Sequence, residues 1–212
     1  RVCEGTLEYR IYIDYVIDSF SKVSVNKMKP QIREILRSAV YQLKFMDSVP
    51  DSAVCNEAVK LAQRKGFYNL KPFVNGVLRT IAREIGDLEL PSREENEVRY
   101  LSVKYSMPEY LVEKWKAAYG VKTTEKILED FLTERPITVR CRTHKASLRE
   151  IVTSLKSQGV TVEQAPYLPY ALKISDYNHI LTLETFLQGK ILVQDVSSML
   201  VAEAASPKKG DH

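Results

Sequence analysis

The stretch PQIREILRSAVYQLKFMDSVPDSAVCNEAVKLA, residues 30–62, decides the fold of this chain. Between residues 32 and 46 its apolar side chains recur at intervals of three and four, which is the spacing of one buried helical face. Pro30 stands where a first-turn proline belongs. After a polar break, Asp51 or Ser52 can cap a second helix. The stretch therefore predicts two consecutive helices that pack on each other.

Helical spacing continues on both sides of this stretch. Residues 7–20 and 71–85 each place apolar side chains on one face, with charged residues between them. Gly76 lies inside the second of these segments and predicts a close approach by a neighbouring helix. Residues 86–97, GDLELPSREENE, are polar and contain both Gly and Pro, so they are predicted to form a linker.

The second half of the chain changes from helical to strand-like periodicity. Its short helices are predicted at 94–104, 108–119 and 123–132 (capped by Thr123 or Thr124), followed by strand 136–142, helix 147–158 and strands 160–162, 171–174 and 191–193. The predicted fold is therefore mainly α, with an all-helical domain followed by a smaller α+β domain.

Composition excludes several classes of protein. The 212 residues are 44% hydrophobic and 27% charged, as in an ordinary globular domain, and no apolar run approaches the length of a membrane span. Cys3, Cys55 and Cys141 lie far apart and lack the spacing of metal ligands, so we expect free thiols and no metal site. We expect a monomer in a reducing cytoplasm.

Positive charge is concentrated between Lys22 and Arg83. This segment holds twelve Lys and Arg residues against four Asp and Glu, a net charge of +8 in a chain whose total is +4. Such a segment indicates an anion-binding surface, with nucleic acid as the first candidate, although a solvated helical face has the same pattern. The candidate phosphate contacts are Lys27, Lys29, Arg33, Arg37, Arg64, Lys65, Lys71, Arg79 and Arg83.

The sequence contains none of the common catalytic motifs. It has no H-E-x-x-H, no G-x-x-x-x-G-K and no G-x-G-x-x-G, and it places no nucleophile beside a base. We therefore expect no catalytic residue between positions 1 and 212.

Three segments carry a family resemblance. The segments 35–50 (ILRSAVYQLKFMDSVP), 49–62 (VPDSAVCNEAVKLA) and 73–79 (FVNGVLR) closely resemble the helical RNA-binding fold of the antitermination factor NusB. A NusB-like domain followed by an α+β segment and by the closing runs Gln194-Asp195-Val196-Ser197-Ser198 and Pro207-Lys208-Lys209-Gly210-Asp211 resembles the Sun/Fmu (RsmB-type) family. That family comprises bacterial S-adenosylmethionine-dependent methyltransferases that make 5-methylcytosine in small-subunit rRNA.

The resemblance implies that separate domains of the parent protein bind RNA and carry out methyl transfer. Residues 1–90 would be the NusB-like RNA-binding domain, with its first helix lying before Arg1, and 91–190 would be a helical linker with a small α+β RNA-binding domain. Residues 191–212 would begin a truncated Rossmann-like methyltransferase domain. S-adenosylmethionine and two catalytic cysteines would belong to the region beyond His212, so this chain alone would be inactive.

Four residues near the end would then lie at the edge of the cofactor site. They are Gln194, Asp195, Ser197 and Ser198. Helix capping explains the same residues equally simply, because Asp is a good N-cap and Ser is common in a first turn.

The first predicted strand departs from the family pattern. Members of the family commonly carry Arg-hydrophobic-Asn-Thr at this position, whereas this chain has Arg140-Cys141-Arg142-Thr143. Since alternate residues of a strand share a face, Arg140 and Arg142 should project together and could contact a phosphate. An exposed cationic strand is the alternative.

Two other functions stay open at this point. A stand-alone NusB-like module in antitermination or ribosome assembly would share the helical half, but it would not need the residues after Leu90. A protein-interaction scaffold would carry an incidental basic face, and its binding would be insensitive to salt.

Overall fold

The computed structural model describes residues 2–133, 136–208 and 210. Contacts divide the chain after Thr133 into two compact units. We call residues 2–133 the helical unit and residues 136–210 the sheet unit. The domain boundaries predicted from sequence, at residues 90 and 190, do not coincide with this division.

The helical unit is built from eight α-helices in the residues that the structure describes. They are α1 (Val2–Glu8), α2 (Arg10–Phe20), α3 (Pro30–Phe45), α4 (Asp51–Arg64), α5 (Lys71–Glu84), α6 (Glu97–Lys104), α7 (Glu109–Tyr119) and α8 (Val121–Phe131). The prediction of helices over the basic segment is confirmed, with Pro30 in the first turn of α3.

The core of the helical unit lies between α2, α3, α4 and α5. Leu36, Val74, Leu78 and Ile81 are fully buried there, together with Ile17 from α2. Burial of each such side chain contributes about 1.5–3 kcal/mol. Because α3 and α4 are joined by the short connection 46–50, they pack against each other as a hairpin, and α5 packs on both.

Helices α6, α7 and α8 form a smaller cluster that is attached to α2. The backbone N–H of Ile11 donates to Ser106 Oγ at 3.0 Å, and the Tyr15 hydroxyl donates to the Glu89 carbonyl at 2.8 Å. Their own core contains Leu101 and Leu128. This packing explains why the compact unit extends to Thr133 instead of ending near the predicted linker.

The sheet unit has the order strand–helix–strand–strand–helix–strand, followed by a last helix. Its elements are β1 (Ile137–Cys141), α9 (Leu148–Ser157), β2 (Thr161–Gln164), β3 (Ala171–Ser175), α10 (Glu184–Leu187), β4 (Ile191–Val193) and α11 (Val196–Ala205). The strands are antiparallel in the order β2-β3-β1-β4. This arrangement of a split βαβ unit confirms the predicted α+β class.

One face of the sheet carries the core of this unit. Val139 and Cys141 of β1 are buried against Ile151 and Leu155 of α9. On the opposite face Met199 of α11 packs in a second, smaller cluster. Ile191–Val193 pairs with β1, so these residues complete this sheet, whereas the sequence prediction assigned them to a following domain.

Three local predictions were wrong. The N-cap of α4 is Pro50, so neither Asp51 nor Ser52 caps this helix. A Cβ at Gly76 would meet no atom within 4 Å, so this glycine allows no close approach, whereas a Cβ at Gly5 would overlap the ring of Tyr41. The N-cap of α8 is Gly120 rather than a threonine, and the hydroxyl of Thr124 instead donates to the Gly120 carbonyl at 2.9 Å. Among the described residues, no helix is long and apolar enough to cross a membrane.

Candidate nucleic-acid interface

The packing of three helices gathers cations at one end of the helical unit. Since α3 and α4 form a hairpin, the start of α3 lies near the end of α4, and α5 begins after a single turn of 3-10 helix. Lys29 Nζ lies 5.4 Å from the centroid of the Phe67 ring, which joins the start of α3 to the segment that follows α4. We call this region the basic end, and its cations are Lys27, Lys29, Arg33, Arg64, Lys65 and Lys71.

The electrostatics of the basic end favour an anion. The N-termini of α3 and α5 both lie here, and each carries a partial positive charge. Among the described residues, Arg33 is the only one of the six cations that forms an ion pair, and its partner is Glu34 at 3.2 Å. The C-terminus of α4 also lies here, and its last carbonyls carry a partial negative charge. They accept hydrogen bonds from the residues that follow the helix: the Phe67 N–H donates to the Ala62 carbonyl at 2.9 Å.

Arg37 is placed differently from the other predicted cations. Its Nε donates to Asp14 Oδ1 at 2.6 Å, its Nη2 to Asp14 Oδ2 at 2.5 Å and its Nη1 to Glu34 Oε1 at 2.8 Å. The side chain is only 11% exposed. Burial alone would lower the pKa of Arg37, but the hydrogen bonds and charges of the two carboxylates outweigh it. The guanidinium therefore joins α2 to α3 and offers little to a phosphate.

Arg79 and Arg83 lie at the far end of α5, away from the basic end. They line a cavity of about 330 Å³ together with Asp51 and Cys55 of α4. Arg79 Nε donates to Asn75 Oδ1 at 3.1 Å, and Arg83 Nη2 donates to its neighbour Glu84 at 2.6 Å. The structure therefore does not combine all nine predicted cations of this unit into one patch.

In the sheet unit, Arg140 and Arg142 share the face opposite the core, as strand alternation predicts. Both line a cavity of about 420 Å³, which we call the β1 pocket. Arg140 Cζ lies 5.6 Å from the centroid of the Tyr170 ring. The Tyr170 hydroxyl donates to Glu203 Oε1 at 2.5 Å, and this bond raises the pKa of Tyr170.

Sequence reasoning did not find Tyr170 or Glu203. Tyr170 directly precedes β3, and its carbonyl accepts from the Cys141 N–H at 2.8 Å, so it lies beside the end of β1. Glu203 reaches the same pocket from α11. No local pattern joins these residues, because only the pairing of β1 with β3 and the packing of α11 bring them together.

The four residues predicted at the edge of a cofactor site lie just after β4. The Gln194 N–H donates to the Thr138 carbonyl at 3.2 Å and continues the sheet. Asp195 occupies the N-cap position of α11 without a side-chain capping bond, and Ser197 and Ser198 are exposed in its first turn. None of the four lines the β1 pocket.

The cysteines do not form a reactive centre. Cys55 and Cys141 are buried and Cys3 is exposed. Burial raises the pKa of Cys141 to about 11, which keeps it protonated at neutral pH. Within the described residues, no group of three or more His, Cys, Asp or Glu side chains could hold a metal ion.

Comparison with protein families separates the chain into two recognisable parts. The model of the NusB family matches residues 1–83. The model described as "Methyltr_RsmF/B-like, ferredoxin-like domain" matches residues 107–180. The basic end falls in the first match, and Arg140, Arg142 and Tyr170 fall in the second.

Individual relatives match the chain along almost its whole length. The chain is 36% identical over 209 residues to "Probable ribosomal RNA small subunit methyltransferase B" of Bacillus subtilis, covering 98% of this chain and 45% of that protein. It is 30% identical to the Synechocystis protein of the same name, over 96% of this chain and 46% of the relative. The chain therefore spans about half the length of these relatives.

A shorter relative and a solved structure complete the comparison. "Transcription antitermination protein NusB" of Acidothermus cellulolyticus is 42% identical over 82 residues, which is 38% of this chain and 57% of that protein. The crystal structure of PH0851 is 26% identical with a TM-score of 0.74, covering 99% of this chain and 46% of the other. Together, these matches show that the chain is similar to a NusB family domain followed by a ferredoxin-like domain, and to proteins named ribosomal RNA small subunit methyltransferase B over about half of their length.

Proposed function

We propose that this chain is the RNA-binding region of an S-adenosylmethionine-dependent rRNA (cytosine-5-)-methyltransferase, and that it binds and positions small-subunit rRNA. The observation that carries the proposal is the basic end, where five of the six cations form no direct ion pair among the described residues. As part of the proposal, the protein acts in the bacterial cytoplasm.

The chemistry of the basic end suits a phosphate backbone. Lysine and arginine side chains on helix ends can each neutralise a phosphate, while the N-termini of α3 and α5 add oriented N–H groups. Such contacts fix the register and orientation of folded RNA without reading its bases. Arg79 and Arg83, at the other end of α5, would supply a separate contact, and Arg140 and Arg142 a further contact in the sheet unit.

The methyl donor would be S-adenosylmethionine, which carries the methyl group as a sulfonium. Gln194, Asp195, Ser197 and Ser198 are proposed to lie only at the edge of its site. Their described surroundings do not enclose a nucleoside-sized cofactor, since three of the four side chains are exposed on α11 or at its cap. No catalytic step is assigned to any residue of this chain.

The alternative is a stand-alone NusB-like module in antitermination or ribosome assembly. The match over residues 1–83 and the 42% identity to a NusB protein favour that activity for the helical unit alone. The match of the sheet unit to the ferredoxin-like domain and the near-complete alignment with methyltransferase relatives favour the first proposal.

Salt dependence tests the RNA-binding part of the proposal. The 212-residue chain is titrated with a fluorescent single-stranded segment of small-subunit rRNA at several salt concentrations. With about five phosphate contacts, the slope of log affinity against log salt should be roughly −3.5. Binding with a slope near zero would contradict the proposal and would favour a protein-interaction scaffold.

The enzymatic part is tested in the cell. The gene that encodes this chain is deleted, and 5-methylcytosine in small-subunit rRNA is mapped by bisulfite sequencing. Loss of one modified cytosine, restored by the intact gene, is the expected result. An unchanged methylation map would contradict the methyltransferase assignment while leaving RNA binding in place.

A further inference from the structure

Two cations converge at the end of β1 without an acidic partner. Arg142 Nη1 lies 3.7 Å, and Lys145 Nζ 3.2 Å, from the position that a Cβ at Gly189 would occupy. Ion pairs among the described residues include neither cation. Since both cations lie close to the same point, their positive charges repel each other. An anion bound between them would be stabilised by both.

Two acids of the sheet unit, Glu203 and Glu150, already have partners. Glu203 accepts the hydroxyl of Tyr170 across the β1 pocket. Glu150 accepts from the N–H and hydroxyl of Ser147, at 2.8 and 2.7 Å, in the capping box of α9. Neither carboxylate is therefore available to neutralise Arg142 and Lys145 without losing an existing bond.

A stacking surface lies beside the cations. Arg140 lies over the Tyr170 ring, and Leu192, which pairs with Arg140 across β1 and β4, is 43% exposed in the same pocket. Aromatic rings and guanidinium planes are the groups on which unpaired RNA bases stack. At about 420 Å³, the pocket has the size of a site for one small ligand.

We infer that the β1 pocket binds the base of one unpaired RNA nucleotide on Tyr170 and Arg140, with the phosphate beside the pocket, between Arg142 of its lining and Lys145 near Gly189. This inference rests on the proposed RNA-binding function and adds a stacking site to a surface otherwise made of phosphate contacts. Leu192 supplies an apolar contact to the base.

The test uses a single-stranded RNA heptamer with a central 2-aminopurine, whose fluorescence is quenched by stacking. Tyr170→Ala should weaken binding about tenfold and abolish the quenching. Tyr170→Phe keeps the ring but loses the bond to Glu203, and it should bind like the unchanged chain. Arg142→Ala and Lys145→Ala should each weaken binding and lower the magnitude of the salt slope by roughly 0.7.

A matched control and a second probe separate this inference from a general effect of charge. Arg149→Ala removes a cation from the exposed surface of α9, which packs on the other face of the sheet, and should change neither affinity nor slope. With an abasic site in place of the 2-aminopurine, Tyr170→Ala should have no effect, while Arg142→Ala should keep its effect.

The outcomes distinguish the two proposals. If the chain binds the heptamer with a steep salt slope but Tyr170→Ala and Arg142→Ala bind unchanged, the nucleotide pocket is wrong and the RNA-binding function stands. If the unchanged chain binds the rRNA segment but not the heptamer, the nucleotide pocket is wrong, and if it binds neither RNA at any salt concentration, both proposals are wrong. Circular dichroism of each variant confirms that the fold is retained.

Discussion

The basic end of the helical unit and the β1 pocket of the sheet unit both expose cations, but they are built differently. The basic end takes its cations from helix ends and connections, where most side chains are solvent-exposed. The β1 pocket holds two half-buried arginines, Arg140 on β1 and Arg142 directly after it, and Arg140 lies over an aromatic ring. Net charge therefore locates an anion-binding surface, whereas only the packing of its side chains shows whether that surface can also bind a base.

Arg37 belongs to the basic segment but is held in ion pairs, so its charge alone does not show its role. Its replacement should have the largest effect on the free energy of unfolding. Arg37→Ala leaves Asp14 without its partner and Glu34 with Arg33 alone, and it should lower the free energy of unfolding by about 3 kcal/mol. Arg33→Ala removes a half-buried arginine from its pair with the exposed carboxylate of Glu34 and should cost less than about 1 kcal/mol. Urea unfolding of both variants measures the difference.

The same pair sharpens the distinction between structural and RNA-binding cations. At a salt concentration where folding is complete, Arg37→Ala should leave the salt slope of RNA binding unchanged. A fall in slope as large as that of a basic-end variant would show that Arg37 contacts phosphate despite its ion pairs.

Cys141 on the buried face of β1 should make the stability of the sheet unit depend on pH. Since the pKa of Cys141 is raised from its reference value of 9.0 to about 11, the folded state retains a proton that the unfolded state loses. This contribution to stability is complete below pH 9 and is lost as pH rises to about 11. The loss should reach about 2 kcal/mol.

Replacement of the thiol isolates this contribution. Cys141→Ala should abolish the part of the stability loss that falls between pH 9 and 11, as followed by urea unfolding at each pH. An identical pH profile in the variant would show that other groups cause the loss. Alkylation of native protein at pH 8 should modify Cys3 and spare Cys141.

Substitutions between lysine and arginine should have smaller effects on RNA affinity, and these effects should differ between the two surfaces. Lys65→Arg at the basic end keeps a charge near a phosphate and should change RNA affinity by less than about twofold. Arg140→Lys removes a planar group from the stacking surface and should weaken binding about fivefold. Equal responses at the two positions would contradict the distinction between them.

Much of the fold followed from local pattern. The apolar spacing over residues 32–46 predicted α3, and alternation over 136–142 predicted β1 with both arginines on one face. The pairing of Arg37 with Asp14 and the meeting of Tyr170 with Glu203 could not be predicted in this way. They join residues far apart in sequence, and charge alone does not show which partners tertiary packing brings together.

The packing of α6–α8 also could not be predicted from local pattern, because it depends on contacts between residues far apart in sequence. Their amphipathic spacing predicted helices, but nothing in residues 97–131 indicates that they pack on α2. The roles of Gln194, Asp195, Ser197 and Ser198 stay predictions, since they came from a family resemblance rather than from a chemical pattern in the residues.

The most direct test of RNA binding through the basic end compares two triple variants. One combines Lys29→Ala, Arg64→Ala and Lys65→Ala, and the other removes three exposed lysines of α7 and α8 by combining Lys114→Ala, Lys122→Ala and Lys126→Ala. Both lose the same net charge, and each is titrated with the rRNA segment over a range of salt. The basic-end variant should lower the magnitude of the salt slope by about 2, while the control variant should leave it unchanged. Equal slopes in the two variants would contradict RNA binding through the basic end.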